Sequence, residues 1–205
     1  MMLLLEKSGK ELLASIRQDC LDRVSQSPEQ ARRFFKKNNG NWGNNDFLGV
    51  ATPQLRLIAL KYSHVDLEHI KKLLASPYNE ERLIALFIVV HNYQKSSPDQ
   101  QKNLCDFYLE NLIFVNSWNL VDSSAYQLLG HYLWDKERSI LKRLAASEYA
   151  WERRVAIVAT LYFIKKNDVS TTFEIAQLLL HDTDDLIHKA TGWMLREAGK
   201  KDEAA

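Results

Sequence analysis

Chain breakers are scarce: the 205 residues include only 7 glycines and 4 prolines, against 46% hydrophobic residues. That balance implies a compact, mostly helical globule and excludes extended disorder outside the ends. Cysteine is almost absent. Cys20 and Cys105 stand far apart and form no C-x-x-C pair, which excludes a thiolate metal site, implies a reducing compartment and leads us to expect a cytoplasmic protein. Charge of one sign is missing too. A formal net charge of +1 excludes a bulk polycation, so any nucleic-acid binding has to come from a local patch. No long hydrophobic run occurs: the opening "MMLLLEKSGKEL" is too short for a signal peptide, and "LIALFIVV" at 83–90 is too short to span a bilayer. A membrane role is therefore not expected. Walker, G-x-G-x-x-G, H-E-x-x-H and G-x-S-x-G motifs are lacking, and the six histidines show no ligand spacing, so no metal and no organic cofactor are expected.

What the chain does have is helical periodicity almost throughout, in segments such as "KELLASIRQDCLDRV", "NEERLIALFIVVHNYQK", "WERRVAIVATLYFIKK" and "DLIHKATGWMLREAGKK". Connectors such as "SHVD", "SSPDQ", "NDVST" and "HDTDD" supply N-caps for the helices that follow. The segments also repeat. Aligning "ASPYNEERLIAL", "ASEYAWERRVAI" and "LHDTDDLIHKAT" puts Ala85, Ala156 and Ala190 in register, with Ala125 of "NSWNLVDSSAYQLLG" as a fourth member, at spacings of 40, 31 and 34 residues. Those spacings predict an all-α fold of HEAT-like helical hairpins, stacked as one curved solenoid domain over residues 1–205, with equivalent positions lining a concave wall.

On that wall stand the residues with chemistry. Trp118 and Asp122 are four apart, which places an indole beside a carboxylate on one helix face, a site suited to a cation. The alternative is a Trp packed between repeats and an Asp paired with an arginine, since a buried charge must be paired, exposed or used. Arg154 stands where such repeats often carry a basic residue bracing the neighbouring turn; its planar fork equally suits a phosphate. Of the adjacent Arg153 and Arg154, one is expected to face solvent. Trp193 has Lys189 one turn before it and Arg196 after it, a pattern suited to stacking beside phosphates, or else a core position. The glycine- and asparagine-rich segment 32–54 reads as a loop carrying Phe34 and Trp42, either a surface turn or a nucleic-acid contact.

Taken together, "NSWNLVDSSAYQLLG", "WERRVAIVATLYFIKK", "DDLIHKATGWMLREAGKK" and "FLGVATPQLR" resemble the DNA alkylation repair family, the HEAT-like glycosylases that remove N3- and N7-alkylated purines. The likeness runs from about residue 30 onward. It implies that Trp118 and Trp193 hold the deoxyribose of the lesion, that Asp122 is the catalytic acid, and that Arg154 grips the backbone nearby. Phe34 stands where some members have a tyrosine, and Trp42 lies in a loop not shared by all. Relatives usually continue past the Trp193 helix, which implies a reduced DNA grip or a longer chain.

The expected function is that of a monofunctional DNA glycosylase, a monomer acting on duplex DNA with cationic alkylpurines, with Lys189 among its DNA contacts. Two alternatives stay open at this point: a DNA-binding protein of the same fold without turnover, and a scaffold whose concave face takes a peptide.

Overall fold

The run "LIALFIVV" forms the middle of one helix, α5 (Asn79–Lys95), in which every residue from 79 to 90 is buried. A helix apolar on all sides belongs inside a globule rather than on its surface. The computed structural model describes residues 9–35 and 45–201, and of Phe34 the backbone alone. The described residues are all-α, with only two isolated bridges, Val24 to Val50 and Asp46 to Tyr78, and no strand.

The chain divides into two compact units, Met1–Asn92 and Tyr93–Ala205, the division falling inside α5. In the first unit, α1 (Gly9–Leu21) packs against α3 (Thr52–Lys61) and α4 (Leu67–Leu74), and α2 (Pro28–Arg32) opens with a capping box between Ser27 and Gln30. The start of α5 organises this unit through buried charge. Glu81 accepts two hydrogen bonds from Arg17 at 2.7 and 2.9 Å. Glu80 Oε1 accepts from the Leu48 and Gly49 amides at 3.1 and 2.9 Å, which pins the end of the "NNDFLGV" loop. Gly49 is required there: its φ is +89°, and a Cβ would sit 2.0 Å from the Gln26 carbonyl oxygen.

The second unit holds α6 (Pro98–Glu110), α7 (Trp118–Asp122), α8 (Ser139–Ala145), α9 (Ala150–Ala159), α10 (Leu161–Lys165), α11 (Ser170–Leu178) and α12 (Asp185–Gly199). α8 packs on α9 and α11 on α12, while α9 lies against both α7 and α12. The caps come from the expected connectors. Asp66 Oδ1 accepts from the His69 amide, Asp184 Oδ1 from Leu186, and Asp168 Oδ1 from Ser170 at the start of α11.

The four alanines aligned in the sequence are all buried. Ala85, Ala125 and Ala156 are 0% exposed and Ala190 is 1% exposed, as small residues at helix contacts should be. Turns repeat as well. Ser76 Oγ accepts from the Tyr78 amide and Ser147 Oγ from the Tyr149 amide, both at 3.1 Å. Arg82 donates to the Pro77 carbonyl at 3.3 Å, and the aligned Arg153 donates to the Glu148 carbonyl at 3.0 Å.

Candidate active site

Trp118 opens α7, with Ser117 before it in an extended conformation whose Oγ bonds Asn119 Oδ1 at 2.6 Å. Leu120, Val121, Ser124 and Ala125 turn inward and are fully buried, which leaves Trp118 and Asp122 half-buried on the other face. Behind the helix, Ser124 Oγ lies 3.0 Å from the hydroxyl of Tyr108 on α6, a phenol that burial keeps protonated by pushing its pKa up. Beyond Asp122 the backbone widens into a π turn at Tyr126–Gly130, where the Gly130 amide donates to Ala125 O at 3.0 Å. Gly130 permits close packing at this point. A Cβ there would lie 2.2 Å from the Ala159 carbonyl oxygen and 2.9 Å from Tyr162 Cβ.

Arg154 crosses from α9 to hold Asp122. Its Nε and Nη2 donate to the two carboxylate oxygens at 2.9 and 2.8 Å, and its Nη1 donates to the Leu186 carbonyl of α12 at 2.7 Å. One guanidinium thus joins three helices, in the bidentate geometry that suits arginine and not lysine. The Arg154 side chain is 6% exposed, whereas Asp122 keeps 19% of its side-chain surface. Burial pushes the Asp122 carboxyl up from its ordinary value, and the hydrogen bonds and charge of Arg154 pull it back only in part.

This geometry separates two expectations. The turn brace falls to Arg153, one residue before the expected position: it donates to the Ser147 and Glu148 carbonyls at 3.0 Å and to both oxygens of Asp182 at 2.5 and 3.1 Å. Neither arginine faces solvent, since Arg153 is only 17% exposed. The fork of Arg154 is directed at Asp122 and a carbonyl, and so holds the carboxylate in place. The ion pair weighed against the cation site is therefore present, and the Asp122 side chain is not fully buried by it.

Lys189 and Trp193 lie one turn apart on α12. Lys189 is exposed with no carboxylate within 4 Å among the described residues; Trp193 is half-buried, one turn before Glu197. The side chain of Phe34 and all of Trp42 fall outside the described residues. No group of three or more His, Cys, Asp or Glu side chains is placed to hold a metal ion among the described residues. None of their helices is long and apolar enough to cross a membrane. Sequence reasoning missed the Leu186 carbonyl and Gly130, because a main-chain acceptor and a missing Cβ leave no side-chain signal.

A half-buried acid held by arginine, four residues after a tryptophan in an all-α fold, defines a helical protein with a carboxylate site. Residues 24–205 match the family model described as DNA alkylation repair enzyme, and the chain belongs to that family. A solved structure described as a predicted DNA alkylation repair enzyme from Enterococcus faecalis shares the fold: TM-score 0.60 and 16% identity, over 88% of this chain and 86% of that one. No curated protein matches the chain.

Proposed function

We propose that the chain is a monofunctional DNA glycosylase that hydrolyses the N-glycosidic bond of N3- and N7-alkylated purines in duplex DNA, as a monomer, with its helical hairpins stacked as a HEAT-like solenoid. The observation that carries this reading is Asp122, its carboxylate held at both oxygens by Arg154 and its side chain still 19% exposed, four residues after Trp118.

The chemistry suits such a group. An alkylated purine of this kind carries a formal positive charge, so its glycosidic bond is weak and the leaving base needs no proton. The developing charge is on the sugar, and a preorganised anion stabilises an oxocarbenium-like transition state more than the ground state. The Asp122–Arg154 pair is neutral overall, so the effect depends on the exposed carboxylate edge lying nearer the sugar than the guanidinium does. Arg154 is then a positioning residue. Trp118 and Trp193 add cation–π attraction of about 0.5–2 kcal/mol each when desolvated, and Lys189 a phosphate contact. Phe34 and Trp42 belong to the same reading as DNA contacts.

The test is release of 7-methylguanine and 3-methyladenine from methylated duplex, followed by cleavage at the resulting abasic sites. Release by the wild-type chain supports the reading, and none at any enzyme concentration overturns it. The Asp122–Arg154 pair itself favours one other reading, a DNA-binding protein in which the pair only joins helices. Duplex binding without release selects that one.

A further inference from the structure

Asp122 is not the last half-buried position on its helix face. Trp118, Asp122 and Tyr126 stand at i, i+4 and i+8, all half-buried, with α7 ending at Asp122 and Tyr126 opening the π turn just beyond it. Over the Tyr126 ring sits the ammonium of Lys165, 4.3 Å from its centroid, reaching across from the end of α10. The next residue repeats the arrangement, with Lys166 Nζ 5.8 Å from the Tyr162 ring. Tyr162 in turn meets the edge of His131 at 4.9 Å, and His131 Nδ1 lies 2.9 Å from the Tyr93 hydroxyl.

Among the lysines seated on a ring, these two differ from Lys61 and Lys136, which also have carboxylate partners. Lys61, Lys72, Lys102, Lys136, Lys142 and Lys200 each have a carboxylate partner. Lys165 and Lys166 are exposed, and among the described residues no carboxylate lies within 4 Å of either. Asp135, an acid close enough to act on His131, is already paired with Lys136 at 2.7 Å. A ring face restricts where an ammonium sits without neutralising it. The ammonium groups cover these ring faces, so the rings are poor platforms for stacked bases. The surface offers two held, uncompensated cations in a chain of net charge +1.

We propose that Lys165 on Tyr126 and Lys166 on Tyr162 form a second phosphate-contact surface, which binds the backbone of duplex DNA next to the nucleotide at Asp122 without regard to sequence. The proposal rests on the glycosylase reading for what lies at Asp122, but the contact itself is a binding property. Phosphates are favoured over an acidic protein because protein interfaces are held by apolar anchors in pockets, whereas the rings beneath these lysines are already covered.

The experiment compares the wild-type chain with the double variant Lys165→Ala, Lys166→Ala for binding to undamaged duplex across a salt series, by fluorescence anisotropy. Release of alkylpurine by the wild type is measured separately. Two lost phosphate contacts should reduce the slope of log Kd against log salt by about 1.8 and weaken binding on the order of tenfold at 0.1 M salt. Both lysines are exposed and have no carboxylate partner among the described residues, so Tm should change by no more than roughly 2 °C, which makes misfolding visible as a larger fall. An unchanged slope with intact folding overturns the contact while leaving the glycosylase reading in place. Absence of salt-dependent duplex binding by the wild type overturns it as well, as does equal wild-type affinity for polyglutamate, which marks an acidic protein as the partner. A reduced slope with no alkylpurine release by the wild type supports the contact and removes the glycosylase reading alone.

Discussion

Arg153 and Arg154 are neighbours in the chain and serve opposite neighbours in space: Arg153 pairs with Asp182 in the turn before α12, while Arg154 pairs with Asp122 on α7. One arginine closes a turn and the other positions a carboxylate. Their substitutions should therefore separate stability from chemistry.

Asp122→Asn keeps the shape of the side chain and removes its charge. If the carboxylate stabilises a cationic transition state, single-turnover excision should fall about 10²–10³-fold, with duplex affinity unchanged or slightly tighter, because an anion facing phosphates opposes association. Equal excision rates in the two proteins would remove Asp122 from the mechanism.

Arg154→Gln removes the positive charge while keeping a hydrogen-bond donor to Asp122. Burial already holds that carboxyl above its ordinary value, and Arg154 acts to lower it. Only the ionised form assists the reaction, so excision should be lost on the acid side at a pH above the ordinary aspartate range, and the variant should lose it at a still higher pH. The salt dependence of binding should not change. A slope shallower by about 0.9 with an unmoved pH profile would show that Arg154 grips a phosphate instead.

Arg153→Ala breaks a largely buried pair and should cost about 3 kcal/mol, seen as a fall of roughly 6–12 °C in Tm. Burial acts to raise the Asp182 carboxyl, yet the hydrogen bonds from Arg153 and the Asp184 amide hold it below its ordinary value. Its folded pKa lies below the unfolded one, so this stabilisation is present above the ordinary carboxylate range and is lost as pH falls through the folded value. The variant's stability should accordingly be less sensitive to pH in that acid range. A pH dependence identical to that of the wild type would count against the bridge.

Gly130→Ala tests the π turn. The added methyl meets the Ala159 carbonyl oxygen at 2.2 Å, too close to be absorbed without moving the end of α9. Overpacking of this kind costs about 1–3 kcal/mol, and thermal denaturation measures it. A Tm equal to that of the wild type would mean that the helices separate freely at this point.

The sequence by itself determined the all-α class, most of the capping residues, the burial of the four aligned alanines and the half-buried Trp118–Asp122 face. Each of these is local or periodic: 3.6 residues per turn places neighbours on a face, and a capping side chain reaches only two or three residues along the chain. Tertiary structure alone decided the partner of the acid. Asp122 and Arg154 are 32 positions apart, and in the sequence Arg153 has an equal claim to either role. The rotation of α9 between α7 and α12 settled the choice, turning one side chain towards the carboxylate and the other towards the turn. The close approach at Gly130 and the seating of Lys165 on Tyr126 were equally invisible beforehand, since both depend on how two separate helices meet.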